Sequence, residues 1–419
     1  MKIFKFGGAS VKDATSIQNV VSIIAEFSKE DRIFVVVSAI GKTTNFLETI
    51  VKQILSDATE AKRLMQNLID THKTLAIALF EGKEDAALFQ EFEKVLQRTY
   101  DFIDRNESPN YNFIYDQIVS QGEVLSSLLL NAYVGYTHLD TTFINARNLI
   151  KTDNNYTDAN ILWEETEAAV QEVLHASTSK IMVTQGFIGS NVEMLYTTLG
   201  REGSDYTAAI LAYALKADEL TIWKDVKGVY TADPKKFPEA TLIDKLSYKE
   251  AIEMTFYGAQ IIHPKTIKPI QNANCILNVR SFIDKDCKGT QIGNFEIEKY
   301  NPVVVLKENQ VLYTFSVKDF SFLNETNLGK IIETFGKYSL RINLMQNTAI
   351  EFIVCTDEKI GKNEFIISAL GSTFDITIEK NLKLLSIRHF NEDIIKKLTQ
   401  SEPIFISQRN PNTVQYLIR

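Results

Sequence analysis

Apolar positions near the start of the chain follow the periods of strands and helices in turn. Residues 2–6 (KIFKF) alternate like a strand, and the strand should end at the glycine pair Gly7 and Gly8. A helix is expected from about Ala14 to Ser28. The run from Arg32 to Ala39 (RIFVVVSA) is apolar without a break, which is typical of a strand buried in a parallel sheet. Strand, helix and strand in this order predict an α/β fold.

The same alternation continues through the first two thirds of the chain. We expect two or three helices within about 50–105, a buried helix at 118–133, strands at 138–144 and 180–185, a helix at about 159–175, an Ala-rich helix near 205 and a strand from 219. This order predicts an open, mostly parallel sheet sandwiched by helices.

The pattern changes in the last third of the chain. Residues 310–379 follow a β-α-β-β-α-β order, which is that of a ferredoxin-like unit. Residues 381–419 follow β-α-β-β and lack a last strand, which residues 295–308 could supply. We therefore predict a first domain at 1–290 and two ferredoxin-like α+β domains in 291–419, one inserted in the other.

Composition narrows the class of protein. The 419 residues carry 45 basic and 53 acidic side chains that are spread along the chain, so no basic surface for nucleic acid or membrane is expected. The three cysteines are odd in number and lack CxxC spacing, which argues against a disulfide framework and a zinc site. No apolar leader or membrane-length run is present. We expect a soluble protein of the reducing cytoplasm.

The glycine pair after the first strand is a candidate phosphate cradle. Gly7 and Gly8 would let backbone N–H groups approach an anion, with Lys5 at the lip. The alternative is an ordinary tight turn. Residues 41–44 (GKTT) look like the end of a P-loop, but that motif is excluded because its first glycine would fall at Val36.

Other candidate binding residues follow the next predicted strand and open a buried helix. Ser38 and Thr44 should face the same crevice as the glycine pair, because ligands of open α/β sheets lie beyond the carboxyl ends of the strands. Glu123 begins a strongly apolar helix. It either binds a cationic group or is an acid that favours the helix dipole.

Two later loops carry further candidates. Arg201 precedes Ser204 and Asp205 at a predicted helix start, where it could clamp a carboxylate or phosphate; the alternative is plain helix capping.

The loop after the strand from residue 219 holds Asp225, Tyr230, Asp233 and Lys235. These side chains suit a nucleotide with a metal, and the alternative is a polar turn built on Asp-Pro.

Together these motifs resemble the aspartokinases of the amino-acid kinase family. The matching segments are KFGGAS (Lys5 to Ser10), VVVSAIGKTTN (Val35 to Asn45), SQGE (Ser120 to Glu123), TQGFIGS (Thr184 to Ser190), TTLGREGSDYTAA (Thr197 to Ala209), WKDVKGVYTADP (Trp223 to Pro234) and FYGAQIIHPKTI (Phe256 to Ile267). They span about the first 290 residues in the family's order.

The resemblance implies ATP-dependent phosphorylation of the side-chain carboxylate of L-aspartate, assisted by Mg²⁺, without naming a metal ligand. It places Lys5, Asp205 and Arg201 at the catalytic centre, and the aspartate at Thr44, Glu123, Arg201 and Ser204. The residues that it places at ATP are Lys5, Gly7, Gly8, Ser38, Lys224, Asp225, Tyr230, Asp233, Lys235 and Gln260.

This chain departs from the family pattern at three of its motifs. Ala9 replaces a threonine of GGTS, Gln260 replaces a common lysine, and Lys224 stands where threonine is frequent. We hypothesise that Lys224 partly restores the positive charge lost at Gln260.

The C-terminal third resembles the tandem ACT domains of aspartokinases. The resemblance implies an amino-acid effector and a homodimer or larger homo-oligomer, and the alternative is that these domains only dimerise. Because no dehydrogenase region follows Arg419, we expect a monofunctional enzyme. The alternatives are another amino-acid kinase, such as one acting on glutamate, and a catalytically weak effector-binding homologue.

Overall fold

The structure is a computed structural model that describes residues 1–259, 261–318, 322–400 and 402–419. The chain forms two compact units. The first contains Met1–Val229, Leu242–Ile252 and Gln260–Ile297, and the second contains Tyr230–Thr241, Glu253–Ala259 and Glu298–Arg419.

Strands of the first unit come from across its length. They are β1 (Lys2–Phe6), β2 (Ile33–Val37), β3 (Thr141–Phe143), β4 (Ile181–Gln185), β5 (Ile188–Ser190), β6 (Tyr196–Thr198), β7 (Glu219–Lys224), β8 (Lys245–Ser247), β9 (Ile276–Ser281) and β10 (Thr290–Gly293). Eight of them form one sheet in the order β3-β4-β2-β1-β7-β9-β10-β8. All neighbours in it are parallel except β9 and β10, and β5 pairs with β6 as a separate antiparallel hairpin.

The helices of the first 300 residues follow in chain order. They are α1 (Ala14–Phe27), α2 (Thr43–Ile54), α3 (Ala58–Leu79), α4 (Ala86–Arg105), α5 (Tyr111–Val119), α6 (Gln121–Tyr136), α7 (Ala146–Leu149), α8 (Trp163–Ala176), α9 (Gly203–Ala214), α10 (Tyr248–Tyr257) and α11 (Pro264–Asn272). The open, mostly parallel sheet with helices confirms the fold class predicted for the first domain. Helix α8 begins at Trp163, later than the predicted start near residue 159, because residues 157–162 form a loop.

The centre of the first sheet is its most buried part. Every residue of β2 is buried, as expected from its unbroken apolar run. On β1 and β7, the ring of Phe6 stacks on Trp223 at 6.0 Å, and Phe4 meets the same indole edge-on at 5.6 Å. The indole of β7 therefore packs against two side chains of β1.

The second unit is built on one antiparallel sheet. Its elements are β11 (Val303–Val317), α12 (Glu325–Lys337), β12 (Ile342–Asn347), β13 (Glu351–Asp357), α13 (Lys362–Leu370), β14 (Phe374–Arg388), α14 (Glu392–Thr399), β15 (Ile404–Arg409) and β16 (Thr413–Ile418). The strand order is β12-β13-β11-β14-β16-β15. This antiparallel α+β arrangement agrees with the predicted ferredoxin-like class.

Two pairs of strands that we predicted as separate are continuous. Strand β11 joins the predicted strands at 302–306 and 311–317, and its pairing with β14 shifts register between Lys307 and Leu312. Asn309 there has a φ of 54°, so the chain passes through an irregularity without leaving the sheet. Strand β14 likewise runs through the predicted break near residue 380. The long strands therefore serve both halves of the sheet.

The two compact units do not follow the predicted boundary at residue 290. Residues 230–241 and 253–259 belong to the second unit. Backbone and side-chain contacts explain this, because the Val304 N–H donates to the Thr231 carbonyl at 2.7 Å, and Arg388 pairs with Glu253 at 3.0 Å. The assignment of two separate ACT domains within residues 291–419 stays a prediction.

Among the described residues, no helix is long and apolar enough to cross a bilayer.

Replacing Phe335 by alanine tests the core of the second unit. Phe335 is fully buried and packs edge-on against Tyr313 at 5.3 Å. We expect a loss of about 3–5 kcal/mol in the unfolding free energy of this unit, measured by denaturant titration, because a Phe→Ala change leaves a cavity. Ile360→Ala, at a fully exposed position, is the control and should change it by less than about 0.5 kcal/mol. A similar small effect of Phe335→Ala would contradict this account of the core.

Candidate active site

A buried ion pair lies at the carboxyl edge of the first sheet. Lys5, next to last in β1, places its Nζ 2.5 Å from Asp205 Oδ1 in the first turn of α9. The two side chains are only 11% and 5% exposed. The structure thus fixes one ammonium and one carboxylate at the end of the central strand.

The loop after β1 packs tightly against the loop after β2. The Gly41 N–H donates to the Gly8 carbonyl at 3.0 Å, and a Cβ at Gly8 would lie 2.6 Å from the Ala39 carbonyl oxygen. Ser10 donates from its backbone N–H and its hydroxyl to the Gly7 carbonyl. The close approach of two backbones therefore requires glycine at position 8.

These loops border a cavity of about 560 Å³. It is lined by Lys5, Gly8, Ser38, Ala39, Gly41, Thr44, Tyr111, Tyr115, Glu123, Thr157, Phe187, Gly200, Arg201, Glu202, Gly203, Ser204 and Asp205. Every residue predicted to bind the acceptor lines it, together with the predicted catalytic residues. Gly7, Lys224 and Asp225 do not line it.

Glu123 is the most strongly perturbed acid that lines this cavity. It lies in the first turn of α6 and is 4% exposed. Its Oε1 accepts a hydrogen bond from the Ala39 N–H at 3.2 Å, while its Oε2 is buried and has no hydrogen-bond partner among the described residues. Burial raises the pKa of Glu123 to about 8, although the Ala39 N–H and Lys5 oppose the shift. Such a carboxylate is set to receive a cation.

Arg201 presents the opposite charge to the same cavity. It is exposed in the loop between β6 and α9, and its guanidinium makes no hydrogen bond or ion pair with any residue that the structure describes. Ser204 beside it is buried against Gly186, where a Cβ would lie 2.5 Å from the Ser204 Cβ. The cavity therefore offers a free cation and a poorly solvated acid to one ligand.

Several cavity residues were missed by the sequence analysis. Tyr111, Tyr115, Thr157 and Phe187 line the cavity from α5 and from two loops. Behind them, Asp116 is fully buried and accepts hydrogen bonds from two threonine backbones. An acid inside the apolar segment YNFIYDQIV was a signal that could have found Asp116.

The predicted nucleotide residues are divided between the two units. Lys224 ends β7, and its Nζ donates to the Ile261 carbonyl at 2.6 Å; Asp225 follows it and is exposed. Tyr230, Asp233 and Lys235 belong to the second unit. There, Asp233 Oδ1 accepts from the Lys235 N–H at 3.0 Å, as in a polar turn.

Gln260 lies outside the described residues, so the proposed charge exchange with Lys224 stays a prediction.

The charged groups suit a magnesium nucleotide better than a protein-only metal site. Among the described residues, no group of three or more His, Cys, Asp or Glu side chains could hold a metal. Mg²⁺ in kinases is held by one or two carboxylates together with substrate phosphates, so a larger cluster is not required. Asp205 is a carboxylate on the cavity that fits this role, and Lys5 and the Gly8 turn suit the phosphates.

Comparison with known proteins places the chain in a family. The sequence profile described as "Amino acid kinase family" matches residues 1–281, and the chain belongs to this family. The particular relatives it resembles are aspartokinases. The bifunctional aspartokinase/homoserine dehydrogenase of Buchnera aphidicola is 34% identical over 277 residues, which cover 64% of this chain and 34% of that protein. The lysine-sensitive aspartokinase 3 of Escherichia coli is 27% identical over 96% of this chain and 90% of its own length.

The chain spans about a third of the length of the bifunctional relatives it matches. Solved structures agree on the fold. E. coli aspartokinase III in complex with lysine and aspartate has a TM-score of 0.83 at 23% identity, over 100% of this chain and 95% of that one. The aspartate kinase of Clostridium acetobutylicum has a TM-score of 0.80 at 21% identity, over 100% and 96%.

The pH dependence of stability should report the buried Glu123. Its pKa is about 8 in the fold against an ordinary 4.5, so its favourable contribution is complete below pH 4.5 and is lost as the pH rises through 8. Replacement by glutamine removes this loss. At pH 5, we expect the unfolding free energy of Glu123→Gln to equal that of the wild type or to be lower. At pH 9, we expect the variant's unfolding free energy to have risen relative to the wild type by on the order of a few kcal/mol.

The matched control is Glu164→Gln, which changes an exposed acid in the first turn of α8. Glu164 meets the helix dipole from the first turn of its helix, as Glu123 does, but it is exposed to solvent. A difference between Glu123→Gln and the wild type that does not change with pH would contradict the buried, protonated state of Glu123.

Proposed function

We propose that this chain is an aspartate kinase that uses ATP to phosphorylate the side-chain carboxylate of L-aspartate, yielding 4-phospho-L-aspartate. The observation that carries the proposal is that one cavity holds Glu123, which has an unpartnered buried oxygen, and the unpaired Arg201, beside the Lys5–Asp205 ion pair. An amino acid has an ammonium for Glu123 and an α-carboxylate for Arg201. Its side chain then remains free to face Lys5.

The chemistry of the acceptor agrees with these residue types. A side-chain carboxylate with a pKa of about 3.9 is already ionised at neutral pH and needs no general base. The barrier comes from bringing this anion against the polyphosphate, so positioning and positive charge must lower it. Lys5 supplies a fixed ammonium at this place, and Mg²⁺ would neutralise phosphate charge when bound. Asp205 orients the Lys5 ammonium through their ion pair.

Thr44 and Ser204 complete the acceptor site in this proposal. Both line the cavity, and Ser204 stands beside Asp205 at the start of α9. Their hydroxyl groups can donate hydrogen bonds to carboxylate oxygens of the acceptor.

The nucleotide is proposed to contact the glycine turn and the residues that follow β7. The residues assigned to it are Lys5, Gly7, Gly8, Ser38, Lys224, Asp225, Tyr230, Asp233, Lys235 and Gln260. A similar solved structure, that of E. coli aspartokinase III in complex with aspartate and ADP, supports sites for an amino acid and an adenine nucleotide in this fold.

The relatives also support regulation by an amino acid. The E. coli relative is named for its sensitivity to lysine, and its structure was solved with lysine. We propose that the second unit of this chain binds an amino-acid effector and contributes to a homo-oligomer. We also propose a reducing, cytoplasmic location, supported by the three free cysteines.

Acyl phosphate trapping with hydroxylamine tests the proposed reaction. We expect product with ATP, Mg²⁺ and L-aspartate, and none with L-glutamate. Arg201→Ala should raise the KM for aspartate by roughly 10- to 100-fold, because a hydrogen bond to a charged group contributes about 1.5–3 kcal/mol. The KM for ATP should stay within about twofold, a difference below 1 kcal/mol.

The matched control is Arg98→Ala, which removes an exposed arginine of α4 and should leave both constants unchanged. Product with glutamate would instead indicate another amino-acid kinase. ATP binding without product from either acid would favour the effector-binding homologue.

A further inference from the structure

Asp116, in α5, is a fully buried acid that accepts hydrogen bonds from Thr198 and from the cavity residue Thr157. Its Oδ1 accepts from the Thr198 hydroxyl at 2.7 Å, and its Oδ2 accepts from the Thr198 N–H at 2.8 Å. The Thr157 N–H donates to both oxygens, at 3.2 and 3.0 Å. One carboxylate therefore holds the end of β6 and the loop at residue 157 together.

The conformation held at Thr157 is unfavourable by itself. Thr157 has a φ of 72°, in the left-handed region where a β-branched residue is a genuine outlier. Such backbone strain persists only where surrounding contacts enforce it, and it is common next to binding sites. Because Thr157 lines the cavity, its enforced conformation shapes the wall that a ligand meets.

The loop is also fixed on its other side. Asp158 forms an ion pair with Lys265 of α11, and a Cβ at Gly200 would lie 2.6 Å from Asp158 Oδ1. Gly200 has a φ of 75° and leads directly to Arg201. A displacement of residues 157 and 158 would therefore reach the turn that carries Arg201.

We propose that Asp116 is a positioning residue for the acceptor amino acid: its carboxylate enforces the left-handed turn at Thr157 and thereby sets the wall beside Arg201. This inference rests on the proposed kinase function and assigns it a determinant of acceptor affinity. Asp116 touches neither substrate in this view, since it does not line the cavity.

The electrostatic surroundings of Asp116 agree with this role. Burial raises its pKa to about 6, while its hydrogen bonds with Thr198 and Thr157 oppose the shift. The pKa values of Tyr115 and Tyr156 are raised mainly by burial, and the charge of Asp116 adds a smaller contribution to both. Asp116 forms no ion pair with any basic residue that the structure describes. The acid is thus held by hydrogen-bond donors alone.

Asp116→Asn tests the proposal because the amide keeps the size of the carboxylate. The amide NH₂ can face only the Thr198 hydroxyl, which can turn to accept from it, so one neutral oxygen is left for the N–H groups of Thr157 and Thr198. The variant loses the Thr157 bond to Oδ1 and the negative charge, so its hold on the Thr157 turn should weaken. We expect the KM for aspartate to rise at least about tenfold, with kcat within about threefold and the KM for ATP within about twofold. The affinity for aspartate, measured by titration calorimetry in the absence of ATP, should fall by the same factor as the KM rises.

Asp153→Asn is the matched control. Asp153 organises the same loop by accepting from the Asn155 and Asn160 N–H groups, and it does not line the cavity. Its replacement should leave the KM for aspartate within about twofold. An equal effect of the two variants would mean general loosening of the loop and would overturn the proposal.

A rescue variant separates positioning from a merely structural role. Glycine adopts a positive φ without steric cost, so Asp116→Asn combined with Thr157→Gly should recover part of the lost affinity relative to Asp116→Asn. Thr157→Gly alone is measured as the reference. No recovery would contradict enforcement of the turn by Asp116.

If Asp116→Asn does not fold, Thr198→Val tests the proposal instead. It deletes the Thr198 hydroxyl that donates to Asp116 and keeps the bonds from the backbone N–H groups of Thr198 and Thr157. It should raise the KM for aspartate about threefold, and an unchanged KM overturns the inference. A wild type that uses a different amino acid refutes the proposed function alone, and the same ratios are then measured with that acceptor. A wild type that binds no acceptor overturns both.

Discussion

The buried ion pair between Lys5 and Asp205 is the constraint on which the site depends. Two charges removed from water stabilise one another only at short range, and removal of either partner from a buried pair costs about 3–5 kcal/mol. The pair therefore ties the end of β1 to the first turn of α9. Next to it, the loops after β1 and β2 pass so close to each other that position 8 requires glycine.

The ionisable groups of the cavity differ in how deeply they are buried and in whether they have partners. Lys5 and Asp205 are neutralised by each other, whereas Glu123 is buried with one free oxygen and Arg201 extends into solvent without a partner among the described residues. A ligand with an ammonium and a carboxylate on one carbon would satisfy both. The fixed Lys5 would need no reorganisation during phosphoryl transfer.

Sequence patterns predicted the parts of the structure that local chemistry determines. The unbroken apolar run of β2 indicated a central parallel strand, and the glycine turn, Glu123 and Arg201 could be found from their residue types and positions. The continuity of β11 could not, because the polar residues near Asn309 are typical of a turn, and pairing with β13 and β14 around them keeps the chain in the sheet. Asp116 was missed for a similar reason, since its partners are 41 and 82 residues away.

Proton release on binding of L-aspartate tests the central claim most directly. Titration calorimetry at pH 7.5 in two buffers of different ionisation enthalpy measures the protons exchanged. With a pKa of about 8 in the free protein, Glu123 is mostly protonated and must ionise to pair with the ammonium of the ligand. The account predicts net release of a fraction of a proton near one half or more, and its loss in Glu123→Gln. Binding without proton release in the wild type would contradict it.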